Sequence, residues 1–158
     1  VLDCGCGGGA NIKTLLKLCP KGKVQGIDYS AVSVEKARKA NASAIAAGRC
    51  AVQQASVAEL PFEAEQFDVV TAFETVYFWP ELAQNFREVY RVLKPSGAFF
   101  ICNEANGETA KDDKWTQIID GMTIYTDTDL KVYLEQAGFC QLQSHKNKKG
   151  WLCVTARK

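Results

Sequence analysis

Glycines at positions 5, 7, 8 and 9 crowd the stretch "VLDCGCGGGA", directly after an apolar run that carries Asp3. Glycine serves chemistry here by what it lacks. Without a Cβ, the backbone can turn tightly and a ligand can come close to the peptide N–H groups. Gly5, Gly7 and Ala10 satisfy the G-x-G-x-x-[GA] spacing of a nucleoside-cofactor loop. Asp28 closes the next apolar run, where a carboxylate can accept two hydrogen bonds from the vicinal hydroxyls of a ribose. The same carboxylate could instead cap the helix that follows, and the sequence leaves both roles open.

Other chemistries find little support. Seven cysteines form no disulfide framework and read as reduced, small hydrophobes, as in a cytoplasmic protein. Cys4 and Cys6 lack a zinc spacing, and the single histidine, His145, is far away in sequence, so no metal is expected. A nicotinamide-dependent oxidoreductase would use the same glycine spacing. Against it, Asp3 precedes the first glycine by two residues, where it repels a pyrophosphate and welcomes a cationic ligand end. A terminal hairpin and the lack of a separate substrate domain also fit that reading poorly.

The elements that hold these residues follow from apolar periodicity. Strand-like runs alternate with helical patterns, which means a parallel sheet covered by helices. A first strand over Val1–Cys4 leads to a helix whose face is Ile12, Leu15, Leu16 and Cys19, closed by Pro20. Lys23–Asp28 is a second strand. Ser30 then caps an alanine-rich helix running to Gly48, and a third strand follows near Cys50–Ala55. "FDVVTAF", Phe67–Phe73, reads as a fully buried central strand. Leu82, Phe86, Val89 and Leu93 mark a helix stopped by Pro95 and Gly97, and Ala98–Cys102 is the fifth strand. The segment Asn103–Thr126 is polar and poorly patterned. Asp127 or Thr128 caps a last helix ended by Gly138, and "KNKKG" joins two final strands with no room for a crossover helix, so they form an antiparallel hairpin.

At 158 residues, 47% of them hydrophobic, the chain has the size of one domain, 1–158. It begins with Val1 rather than Met, inside its first strand, so further residues are expected upstream. A net charge of +1 gives no footprint for nucleic acid, and no apolar run is long enough to span a bilayer. The basic cluster Lys146, Lys148 and Lys149 is expected on a solvated hairpin tip, remote from the carboxyl ends of the strands. A small-molecule partner is favoured, and oligomeric state is not readable.

Four segments, in order, resemble the class I S-adenosylmethionine-dependent methyltransferases, within them the ubiquinone/menaquinone-biosynthesis group. "VLDCGCGGG" is similar to that family's first motif, "GIDYS" to its ribose-binding acid, "ELPFEAEQFDVV" to its Leu-Pro-Phe loop and fourth strand, and "EVYRVLKPSGAFFI" to its helix-turn-strand signature. The resemblance implies an α/β, Rossmann-like methyltransferase fold. Its seven-stranded, mostly parallel sheet would end in a C-terminal antiparallel hairpin and carry helices on both faces.

It also implies S-adenosylmethionine as cofactor and S-adenosylhomocysteine as product. Asp3, Gly5 and Gly7 would line the methionine portion, Asp28 would hold the ribose, Tyr29 would lie on the adenine, and Ser56 and Val57 would meet its edge. Ala72 and Phe73 would form the floor under the sulfonium. An acid often stands in the family where this chain has Ser56, a weaker acceptor for the adenine amino group. Glu74, Tyr77 and Glu104 are candidates for a general base by position, and the lid would include the Asn103–Thr126 segment. "VYFWP", Val76–Pro80, reads either as core or as an acceptor-pocket wall. The expected reaction is direct methyl transfer to a small-molecule acceptor; a module that binds the cofactor without turnover is the further alternative.

Overall fold

The computed structural model describes residues 1–109 and 112–158. Seven strands form one sheet: β1 (Leu2–Cys4), β2 (Val24–Asp28), β3 (Cys50–Gln54), β4 (Phe67–Phe73), β5 (Leu93–Asn103), β6 (Cys140–Lys146) and β7 (Leu152–Arg157). Their order is β3-β2-β1-β4-β5-β7-β6. Pairing is parallel from β3 to β5, while β7 runs antiparallel to both β5 and β6. The expected terminal hairpin is therefore present, and β6 points the same way as the parallel strands. The chain winds from β1 outward to β3, then crosses back to place β4 on the other side of β1. That switch opens a crevice at the carboxyl ends of β1 and β4.

The helices are α1 (Ala10–Leu18), α2 (Ala31–Ala40), α3 (Ala42–Ala46), α4 (Leu82–Val92), α5 (Asp112–Ile118) and α6 (Asp127–Gln136). Strand residues alternate between two cores. On one face Leu2, Ile27, Val70, Ala72, Ile101 and Val154 pack under α4 and α6, which contribute Phe86, Val89, Leu130 and Leu134. Trp79, Phe86 and Phe99 meet within it, Trp79 lying parallel to Phe99 at 6.3 Å and Phe86 edge-on to both. Burying each such ring stabilises the fold by roughly 1.5–3 kcal/mol. On the other face α1 and α2 bring Ile12, Leu15, Val34 and Ala37 against β2 and β3. Over β4, β5 and β7 that second face holds a groove walled by Leu15, Leu18, Phe73 and Phe100.

Several expectations need correction. The alanine-rich helix is not continuous: it breaks at Asn41, whose backbone leaves the helical region. The helix before β5 ends at Val92, because Leu93 already pairs with Phe67. β4 is not buried throughout: Asp68 is exposed, and Val69 and Phe73 line the groove. Thr126, not Asp127 or Thr128, caps α6, in a reciprocal capping box with Asp129. The unpatterned segment contains α5. The basic hairpin tip is not remote from the carboxyl edge of the sheet; since β6 runs with the parallel strands, its end lies on that edge. There Asn106 Nδ2 donates to the Gly150 carbonyl and Lys146 pairs with Glu108.

Candidate active site

The glycine loop is tied down before any ligand is considered. Gly5 and Cys6 both donate backbone N–H to the Ile27 carbonyl, at 2.9 and 2.8 Å. Gly7 N–H donates to Asp28 Oδ2 at 2.8 Å, and Ser30 N–H to Asp28 Oδ1 at 2.9 Å. Asp28 thus staples the loop to the start of α2, whose cap is Ser30, bonded by Ser33 N–H. The helix-capping role left open for Asp28 is filled by Ser30. Each Asp28 oxygen keeps a lone pair for a further donor.

Two glycines matter for different reasons. A Cβ at Gly5 would meet Thr75 Oγ1 at 2.0 Å, so β1 and the segment after β4 can close together only around glycine. Gly7, at φ +51, faces open space with nothing within 4 Å of where a Cβ would be, and this open side leaves its backbone approachable.

Above the loop lies a cavity of about 350 Å³. It gathers Gly5, Asp28, Tyr29, Ser56 and Val57, all expected from the sequence, with Thr75, Phe78, Trp79 and Pro80, which were not named as cofactor contacts. Tyr29, one of the lining residues, is 79% exposed. "VYFWP" proves to be core and wall at once: Val76, Tyr77 and Trp79 are buried, while Phe78 stands in the cavity.

Asp3 does not line this cavity. It is buried beneath it, where Thr71 Oγ1 donates to Oδ1 at 2.8 Å and Oδ2 has no partner. Burial, partly offset by the Thr71 bond, pushes its carboxyl up to about 6. Ala72 and Phe73 do not line it either. Ala72 is fully buried in the α4 core, and Phe73 leans on Phe100 on the opposite face.

A second cavity of about 250 Å³ adjoins the first, and Phe78 walls both. Glu74, Tyr77 and Glu104, the three base candidates, meet there with Ala105, Trp115, Ile119 and Met122. Glu74 holds a left-handed backbone, φ +56, anchored by its N–H to the Cys102 carbonyl at 2.9 Å. Its carboxylate accepts from Glu104 N–H and lies 3.3 Å from the Tyr77 hydroxyl. That hydroxyl accepts from Ala105 N–H at 2.9 Å. Burial raises both the Glu74 carboxyl and the Tyr77 phenol above their ordinary values. His145 is exposed on β6, opposite Cys153, and lines neither cavity. Among the described residues no cluster could hold a metal ion, and no helix is long and apolar enough to cross a membrane.

The profile of the family described as "Methyltransferase domain" matches residues 2–101, well over half of the chain. The chain belongs to the methyltransferase domain family. Among relatives, a demethylmenaquinone methyltransferase of Lactiplantibacillus plantarum is 36% identical over 107 residues, covering 67% of this chain and 45% of that protein. A 24-methylenesterol C-methyltransferase of Arabidopsis thaliana is 29% identical over 124 residues, covering 77% of this chain and 34% of its own length. The chain thus spans less than half of these relatives. A solved SAM-dependent methyltransferase from Aquifex aeolicus shares the fold, with a TM-score of 0.83 at 22% identity, covering 99% of this chain and 80% of that one.

The cofactor of this methyltransferase family is S-adenosylmethionine, and the residues present fit it. Asp28 offers spare acceptor capacity at the cavity wall, and Gly7 of the same loop an approachable backbone.

Proposed function

We propose that this methyltransferase domain, acting as one unit over residues 1–158, transfers the methyl group of S-adenosylmethionine to a small-molecule acceptor. The observation that carries this reading is the pair of cavities sharing Phe78 at the carboxyl edge of β1, β4 and β5, one suited to a nucleoside, the other to an acceptor. The named acceptors of two relatives, a methylenesterol and a demethylmenaquinone, are also small molecules.

In this reading Asp28 takes the ribose hydroxyls, Tyr29 covers the adenine, Ser56 and Val57 meet its edge, and Gly5 and Gly7 lie along the methionine portion. Bound S-adenosylmethionine supplies a methyl group already activated on a sulfonium. The chain's own work is then alignment and exclusion of water. Phe78, Trp79 and Pro80 form the wall that keeps water from the first cavity, and Glu74 is placed to take a proton from an acceptor in the second. Burial lifts the Cys6 and Cys102 thiols to about 12, which leaves these two protonated and inert at neutral pH.

Calorimetry with S-adenosylhomocysteine and with oxidised and reduced nicotinamide dinucleotides tests the assignment. Tight binding of the homocysteine nucleoside, at least tenfold over any dinucleotide, is expected. The reverse order would make the protein an oxidoreductase candidate. Transfer of labelled methyl to an acceptor panel separates an enzyme from a cofactor-binding module.

A further inference from the structure

Among the described residues, the side chains lining the second cavity are acidic, aromatic or aliphatic, and none is basic. Glu74 and Glu104 stand at the ends of β4 and β5. Tyr77, Phe78 and Trp115 supply aromatic faces, and Ile119 and Met122 apolar contact. The two carboxylates repel each other where water is partly withdrawn, so an anion is disfavoured and a cation relieves them. Aromatic faces attract a cation as well. Glu74 is held toward this space by a backbone conformation rare outside glycine and by bonds from Glu104 N–H and Tyr77. At about 250 Å³ the space is below the roughly 300–1,000 Å³ of drug-sized sites.

The geometry points to a small aryl- or alkylamine as the acceptor, methylated on nitrogen, with Glu74 and Glu104 selecting its positive charge. This rests on the reading of the adjoining cavity as the cofactor site. The amine enters as R–NH3⁺. The Glu74 carboxylate takes one proton and becomes a carboxylic acid, a transfer that is uphill from an alkylammonium and made less so by the burial that raises the carboxyl's proton affinity. The freed nitrogen lone pair forms the N–C bond to the methyl as the C–S bond of S-adenosylmethionine breaks, and that bonding pair stays on sulfur. The products are R–NH2⁺–CH3 and S-adenosylhomocysteine, and Glu74 returns its proton to water. Phenolates and carboxylates, which would need to sit as anions beside the two glutamates, are excluded.

Phenethylamine and 3-phenylpropionate share a skeleton and differ in the sign of their charge, so calorimetry with each tests the charge preference, with and without saturating S-adenosylhomocysteine. The wild type is expected to bind the amine at least tenfold more tightly than the acid. Glu74→Gln with Glu104→Gln should shrink that preference to within threefold while leaving the affinity for S-adenosylhomocysteine within threefold of the parent. Glu104→Gln alone, at an exposed position where folding is not at stake, should shrink it by at least twofold. The inference is overturned if the acid binds as tightly as the amine, if neither binds at millimolar concentration, or if the substitutions leave the preference intact. Loss of the cofactor reading has a different signature. S-Adenosylhomocysteine would fail to bind the wild type, while the charge preference measured without it would still stand or fall alone.

Discussion

Two aspartates divide the work of the cofactor loop, and each makes its own prediction. Asp28 accepts Gly7 and Ser30 N–H groups, so Asp28→Ala breaks the bridge between the glycine loop and the start of α2 as well as removing the proposed ribose acceptor. The expected loss of stability is about 1–3 kcal/mol, and affinity for S-adenosylhomocysteine should fall by about 2–4 kcal/mol, on the order of 30- to 1,000-fold. Asp28→Asn keeps one acceptor oxygen and should cost less stability while still weakening the ligand about tenfold or more. Unfolding midpoints without ligand and calorimetric affinities separate the two effects, and an Asp28→Ala protein that binds within about threefold of the parent would remove Asp28 from the site. Asp3 acts through pH. Its folded carboxyl titrates near 6 against an ordinary 3.8, so between those values the native state holds more protons than the unfolded chain, and stability falls as pH rises through that window. At about 1.4 kcal/mol per unit the ionised group costs roughly 3 kcal/mol by pH 7. Asp3→Asn should therefore gain stability relative to the parent between pH 4 and pH 7, and an unfolding free energy that changes with pH identically in both proteins across that range would refute the assignment. Asp28 was legible because strand periodicity fixes where the second strand stops, while Tyr29, Ser56 and Val57 followed only from the resemblance to the methyltransferase family. Thr75 was not, and Trp79 and Pro80 read as a possible wall for the acceptor rather than the cofactor, because the chain leaves β4 through a left-handed turn at Glu74 that no glycine announces.

Elements were legible wherever the apolar period was strong. β4 matched its expected bounds, and α4 ended one residue before the last of its expected apolar positions, since a buried face leaves little freedom of register. The break between α2 and α3 was hidden. No proline or glycine interrupts the stretch between Ala31 and Gly48, and the break falls at a residue whose side chain reaches another segment. Asn41 Nδ2 donates to the carbonyls of Gly9, at 3.0 Å, and Ala37, at 2.9 Å, turning the side chain inward to tie the helix end to the glycine loop. Asn41→Ala leaves the Gly9 carbonyl buried without this donor, so a loss of about 1–3 kcal/mol is expected in urea unfolding. Because the same bond fixes one side of the loop, affinity for S-adenosylhomocysteine should drop several-fold as well. A variant with lowered stability and unchanged affinity would show that the loop holds its shape without α2.

For the whole molecule the decisive question is what kind of partner can reach the carboxyl edge of the sheet. Balanced charge, +1 overall, pointed away from nucleic acid, yet the expectation that the basic tip lies far from the site failed, because β6 runs with the parallel strands and delivers its lysines to that same edge. Charge at that edge must therefore be weighed group by group. Lys146 is engaged by Glu108, the cavity behind Phe78 carries two glutamates and no base among the described residues, and Lys148 and Lys149 have no ion partner among the described residues. Two lysines release few counterions, whereas a protein contacting six to ten phosphates loses about 10³–10⁵ in affinity between 50 and 200 mM salt. Fluorescence anisotropy with a labelled single-stranded 20-mer should accordingly give a dissociation constant weaker than roughly 10 μM at 50 mM salt, with a shallow salt slope close to that of two neutralised charges. Lys148→Ala with Lys149→Ala should abolish even that residual binding while leaving S-adenosylhomocysteine affinity unchanged, since the tip touches neither cavity wall. Sub-micromolar binding that collapses steeply with salt would mean that a continuous basic track leads to the site, and would move the acceptor from a small molecule to a polynucleotide.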